Sequence, residues 1–87
     1  MAFSIQFGPQ PDKFLSKLDY QTKDRIRNKL EKLKIYPFPS EVERVEGYKD
    51  EKVFRVRVGD YRILYLVRYE ENKILVSKID KRGRAYD

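Results

Sequence analysis

The chain has 87 residues, 40% hydrophobic and 39% charged, with 20 Lys and Arg against 14 Asp and Glu. That length fits one domain spanning residues 1–87 and excludes a multidomain enzyme; a net stability of roughly 4–13 kcal/mol and one modest core are expected. The absence of Cys and His excludes disulfides, thiolate nucleophiles, imidazole bases and the common zinc, copper and haem ligands.

Aromatic residues make up 14% of the chain, which with clear apolar runs argues against disorder. A net charge of +6 predicts a polyanion or an acidic protein as partner, nucleic acid first, unless the charge only decorates the surface. Met1-Ala2-Phe3-Ser4 lacks the basic start and apolar stretch of a signal peptide, and no apolar run approaches the ~18 residues of a membrane span. A cytoplasmic protein with no membrane partner is expected.

In chain order, Phe3 to Phe7 alternates apolar and polar as a strand does, and Gly8-Pro9-Gln10-Pro11 is expected to end it. From Pro11, the residues Phe14, Leu15 and Leu18 share one helical face. Asp19 can cap a second helix, in which Thr22, Ile26, Leu30 and Leu33 recur at helical spacing until Tyr36-Pro37 stops it. Its remaining face is basic, with Lys23, Arg25, Arg27, Lys29, Lys32 and Lys34 interrupted by Asp24 and Glu31. Pro37 to Asp50 reads as a long loop anchored by Val42, Val45 and Tyr48. Val53 to Val58 and Tyr61 to Tyr69 alternate strictly around Gly59-Asp60, the two-residue connection of a tight hairpin. Lys73 to Ile79 supplies a further strand, and Lys81 to Asp87 a basic tail. The order predicts an α+β fold with two N-terminal helices packed on one face of an antiparallel sheet.

The hairpin turn predicts its own register: Val58 faces Tyr61, Val56 faces Ile63 and Phe54 faces Tyr65 on the core side. On the other side Arg57 lies across from Arg62, and Arg55 across from Leu64. Two guanidiniums about 5 Å apart repel by ~0.8 kcal/mol in water and ~3 kcal/mol at a partly shielded surface. Either an anion sits between them, phosphate suiting the planar fork best, or both splay into solvent. A tight turn before the last strand would place Lys78 on the core side, so a bulge or a longer turn is an open alternative there. An antiparallel return brings Lys81 and Arg82 towards Arg62, and Tyr86 follows closely enough to stack on a base or offer its phenol, unless the terminus frays.

The segment Phe54-Arg55-Val56-Arg57-Val58-Gly59-Asp60-Tyr61-Arg62-Ile63-Leu64-Tyr65, with Val45-Glu46-Gly47 before it and Lys81-Arg82-Gly83-Arg84-Ala85-Tyr86 after it, resembles the RelE/ParE superfamily of toxin–antitoxin toxins, in its RelE-like branch. The resemblance covers nearly the whole chain. It implies a small toxin that enters the ribosomal A site, cuts the messenger RNA there without a cofactor or metal, and is silenced by an acidic, RelB-like antitoxin. Ribosomal RNA and mRNA would be its nucleic-acid partners. The toxin alone would be monomeric, and its complex with antitoxin larger.

By the same resemblance Arg62, Arg82 and Tyr86 are the candidate catalytic residues and Arg55 and Arg57 candidate RNA-binding ones, to which the basic tail adds Lys81 and Arg84. Arg55 and Arg57 stand where well-studied bacterial members carry lysines. Guanidiniums can neutralise a phosphorane but scarcely deprotonate, so the general base for the 2′-OH stays unassigned by sequence. A ParE-like gyrase poison and a noncatalytic nucleic-acid-binding module are the alternatives.

Overall fold

The computed structural model describes residues 2–45 and 51–81. In chain order these form β1 (Ser4–Phe7), α1 (Pro9–Ser16), α2 (Tyr20–Ile35), β2 (Glu43–Val45), β3 (Val53–Val58), β4 (Tyr61–Arg68) and β5 (Lys73–Lys81), with a 3-10 turn at Tyr69–Glu71. The strands make one sheet in the order β1-β5-β4-β3-β2. Neighbours are antiparallel except for β1, which runs parallel to β5. Both helices pack on one face, so the α+β architecture matches the expectation, with a parallel edge strand added. No helix among the described residues is long and apolar enough to cross a membrane.

The helices start where capping chemistry allows. Gly8, in an extended conformation, is the N-cap of α1 and Pro9 its first residue, because proline's missing N–H has no partner to lose in a first turn. The Gly-Pro-Gln-Pro stretch therefore begins α1 as well as ending β1, two residues earlier than Pro11. Asp19 is the N-cap of α2, and Tyr36 ends it just before Pro37. Ile26, Leu30 and Leu33 of α2 are buried against Val56, Val58, Ile63, Tyr65, Ile74, Val76 and Ile79 of the sheet, with Phe14, Leu15 and Leu18 packed at the margin. Tyr65, fully buried, donates its hydroxyl to the Pro37 carbonyl at 2.5 Å, which satisfies the one polar atom that residue brings into the core.

Two departures from the sequence expectation shape the outer face. Part of the predicted long loop is β2, which pairs Glu43 with Arg55 and Val45 with Val53; a three-residue strand is too short for alternation to show. Val42 packs against the core, whereas Tyr48 lies outside the described residues. The second departure is a bulge in β5: Leu64 pairs with Lys78 while Tyr65 pairs with Val76, leaving Ser77 as the extra residue, its hydroxyl on the Leu64 carbonyl at 3.3 Å. The bulge turns Lys78 to the outer face, so no ammonium enters the core.

The hairpin has the expected register, with Val58 opposite Tyr61, Arg57 opposite Arg62, Val56 opposite Ile63, Arg55 opposite Leu64 and Phe54 opposite Tyr65. Gly59 adopts a φ of 58°, which only glycine takes without strain. A Cβ there would come within 2.6 Å of the Arg25 guanidinium, a flexible group that can swing aside, so the backbone conformation dominates the penalty. Gly59→Ala should lower stability by about 1–2 kcal/mol, with Tm falling roughly 4–8 °C per kcal/mol, and Gly59→Asn should lose less. Thermal unfolding of the two variants checks this.

Burial, with the Glu41 carboxylate acting in the same direction, holds the Tyr65 phenol above its ordinary pKa. A phenol that ionises more readily in the unfolded chain contributes stability fully present below about pH 10 and lost as pH rises beyond it. In Tyr65→Phe that alkaline loss should disappear, while stability at neutral pH falls by about 1–2 kcal/mol because the buried Pro37 carbonyl loses its donor. Denaturant midpoints followed from neutral to alkaline pH measure both effects.

Candidate active site

On the face turned away from the helices, strand register builds two rows of side chains beside the hairpin turn. Nearest the turn, Arg57 of β3 faces Arg62 of β4, which faces Asp80 of β5. One step further, Glu43 of β2, Arg55 of β3, Leu64 of β4 and Lys78 of β5 lie side by side. Their sequence neighbours Val56, Val58, Ile63 and Ile79 are buried on the core side, so alternation sends these rows outward. Four cations and two carboxylates thus share one open patch.

The structure resolves the like-charge facing in a way the hairpin alone does not predict. Flanking acids draw two of the guanidiniums outward. Arg62 donates to Asp80 through Nε at 3.2 Å and Nη2 at 3.5 Å, and Arg55 donates to Glu43. The hydrogen bond and charge of Arg55, with Arg57 adding at longer range, hold the Glu43 carboxyl below its usual pKa. Arg57 is exposed and forms no ion pair among the described residues. The Lys78 ammonium lies 3.8 Å from the second Asp80 oxygen, its side chain 55% exposed.

Asp80 is held in place by the neighbouring backbone. The Gln10 side chain donates to the Ile79 carbonyl at 2.8 Å and accepts from the Ile79 N–H at 2.9 Å. Those bonds fall beyond Phe7, where β1 stops pairing with β5, so a side-chain amide extends the strand edge next to Asp80. Such a clamp fixes the peptide that aims the carboxylate between Arg62 and Lys78.

Arg55, Arg57 and Arg62 come together as expected. Lys81 does not join them. It pairs with Tyr61 and stands over that ring at 6.0 Å, and alternation along β5 puts it on the helix side of the sheet. Arg82, Arg84 and Tyr86 lie outside the described residues. Sequence reasoning missed Asp80, Lys78 and Glu43. The return that carries Lys81 towards Arg62 must also bring Asp80 alongside, a signal present in the spacing, but the bulge and the short β2 have no sequence signature. The basic face of α2 is partly neutralised locally: Arg27 pairs with Asp24 at 3.1 Å, Lys34 with Glu31 at 3.4 Å, and Lys29 with Glu41 at 2.7 Å.

A solvent-facing patch of guanidiniums on the open face of an α+β sheet defines a small basic protein with the helices on one side and the charge on the other. The family model for the ParE toxin of the type II toxin–antitoxin system parDE matches residues 3–86. The RelE1 toxin of Methanocaldococcus jannaschii is 30% identical over 89 residues, covering 99% of this chain and 97% of that protein. The archaeal RelE-RelB complex from Pyrococcus horikoshii OT3 contains a chain 32% identical, superposing with a TM-score of 0.82 over 98% of this chain and all of that one. The isolated Escherichia coli RelE toxin shares the fold, with a TM-score of 0.77 at 22% identity over 98% of this chain and 89% of that one. This chain belongs to the RelE/ParE superfamily of toxins of toxin–antitoxin systems, in its RelE-like branch.

Removing the acid at the β5 flank of the patch should raise its affinity for a polyanion. Asp80→Asn removes one negative charge beside Arg62 and Lys78, worth roughly one more phosphate, so binding of a single-stranded oligonucleotide should tighten roughly threefold to tenfold at about 50 mM salt. Fluorescence anisotropy across a salt series should show the gain fading as salt rises.

Proposed function

We propose that this chain is a ribosome-dependent mRNA endoribonuclease that cuts mRNA in the ribosomal A site and thereby inhibits translation. The carrying observation is the row Arg57, Arg62, Asp80 beside Arg55 and Lys78 on an open sheet face. A flat patch of fixed cations can neutralise a phosphodiester but cannot align an RNA strand unaided, so the ribosome would supply the alignment and free RNA would be a poor substrate. In transesterification the 2′-OH attacks the adjacent phosphorus and the 5′-oxygen leaves. Arg62 and Arg82 are assigned to the charge that develops on the phosphoryl oxygens, and Arg55 and Arg57 to holding the flanking phosphates. Tyr86 is assigned to the leaving oxygen or to stacking on a base, and Arg84 and Lys81 to further RNA contacts.

The cytoplasm, where ribosomes are, is the site of action in this proposal. A RelB-like acidic antitoxin is the natural inhibitor: the P. horikoshii relative is seen in a RelE-RelB complex, and an acidic segment would complement the +6 charge of this chain. The toxin alone is proposed to be monomeric and to form a larger complex with that antitoxin.

One observation favours a second reading. The matching family model bears the ParE name, and a ParE-like protein would poison gyrase on the same scaffold without cutting RNA. The two separate in a paired assay: codon-positioned mRNA ends on programmed ribosomes support the nuclease, and inhibited DNA supercoiling supports the gyrase poison. For the nuclease, Arg62→Ala should lower single-turnover cleavage of ribosome-bound mRNA by roughly 10²- to 10³-fold. An unchanged rate in Arg62→Ala would remove Arg62 from the mechanism.

A further inference from the structure

We infer that Lys78 is the general base of the RNA cleavage proposed above, the catalytic group that arginines at positions 55 and 57 cannot supply; the inference rests on that reading. The bulge at Ser77 carries it. Without the extra residue Lys78 would face Ile63 in the core, whereas with it Lys78 pairs with Leu64 on the outer face, in the row that holds Arg55. Among the described residues of the two rows, Lys78 is the one cation that is an amine, whereas a guanidinium scarcely gives up its proton.

Its surroundings suit proton transfer at a phosphodiester. Leu64 beside it is half-buried and apolar, and the charged groups of the same face are Arg62 on the adjacent β4, Arg55 and Arg57 on β3 one strand further, and Glu43 on β2 beyond. On its own strand Asp80 lies 3.8 Å away, itself bonded to Arg62. A phosphate seated over Arg57 and Arg62 would thus have an exposed amine at one side, anchored by a carboxylate that also positions Arg62. The side chain is 55% exposed, free to reach a ribose.

In the step, the neutral Lys78 amine takes the 2′-OH proton and the 2′-oxygen bonds to phosphorus. The bond from phosphorus to the 5′-oxygen breaks, and that oxygen takes a proton from solvent. The products are a 2′,3′-cyclic phosphate and a 5′-hydroxyl, and Lys78 afterwards returns its proton to water. No oxidant or metal enters the balance.

The test is single-turnover cleavage of mRNA on programmed ribosomes by the full chain, followed as a function of pH. The wild-type rate should rise about tenfold per pH unit through the neutral range, and Lys78→Arg and Lys78→Met should both fall at least about a hundredfold and lose that slope. Because the chain has no cysteine, Lys78→Cys can be alkylated at that one position with 2-bromoethylamine, which rebuilds a primary amine; at least a tenth of the lost rate should return. Full activity in Lys78→Arg, a pH-independent wild type, or no recovery on alkylation would each overturn the assignment while the ribonuclease reading stands. A wild type that leaves ribosome-bound mRNA uncut would overturn both. Thermal unfolding of each variant, expected to be unchanged at so exposed a site, confirms that the losses are chemical.

Discussion

The structure depends on a conflict between the two faces of one hairpin. On the inner face Val56, Val58, Ile63 and Tyr65 are buried, each contributing on the order of 1.5–3 kcal/mol by leaving water. On the outer face the same register sets Arg57 against Arg62, at a cost of about 1–3 kcal/mol. The core wins by a wide margin. A slip of one residue would relieve the arginines only by turning every apolar side chain to solvent and driving guanidiniums into the core. The cationic row is therefore not a local choice of the surface; packing beneath it enforces the row, and the Gly59 turn sets its starting point. A site fixed in this way is rigid on arrival of a ligand, and rigidity is what gives fixed charge its value at a developing oxyanion.

The carboxylates adjust that field without cancelling it. Glu43 and Asp80 sit at opposite flanks of the patch, each bonded to the nearest guanidinium. They draw Arg55 towards β2 and Arg62 towards β5, away from the strand boundary where the repulsion is worst. The apparent paradox of a basic face carrying acids disappears on this geometry: each acid anchors the far side of a cation and leaves the middle of the face electropositive. On α2 the pattern is different, since Arg27, Lys29 and Lys34 have acids of their own on the helix or the following loop. Net charge distributed along the sequence is thus a poor guide to where an anion binds, and strand register a better one.

How much of this was legible follows from the same physics. The hairpin could be read to the residue because strict alternation and a positive-φ glycine both act within a dozen positions. The helices could be read from spacing and caps, although the start of α1 moved to Pro9 because proline serves as well in a first turn as in a break. The short β2 and the Ser77 bulge could not be read, because each is fixed by partners distant in sequence: Glu43 by Arg55, and Ser77 by the need to keep an ammonium out of the core. The parallel pairing of β1 with β5 joins residues about 70 positions apart, and no local pattern encodes it. Asp80 differs, because the antiparallel return that brings Lys81 opposite Tyr61 necessarily sets Asp80 opposite Arg62, a pairing the spacing does encode. The assignments to Arg82, Arg84 and Tyr86 rest on the resemblance and on strand direction alone.

The separation of charge from proton transfer is the last consequence of the register. In the proposed cleavage, arginine suits the two β3 positions because its planar fork can hold phosphate at any working pH, but guanidiniums alone would offer no group able to accept a proton. The bulge removes that limit at small expense. One inserted residue costs a local break in the ladder and a bend of the strand, and in return places a lysine where the inner-face pattern would otherwise demand an apolar side chain. The Gln10 clamp on Ile79 then restores hydrogen bonds at the strand edge beyond the bulge, so the irregularity stays confined to Ser77 and the geometry of Asp80 and Arg62 is preserved. On the proposed mechanism, binding falls to the regular part of the sheet and reactivity to the bulge at Ser77.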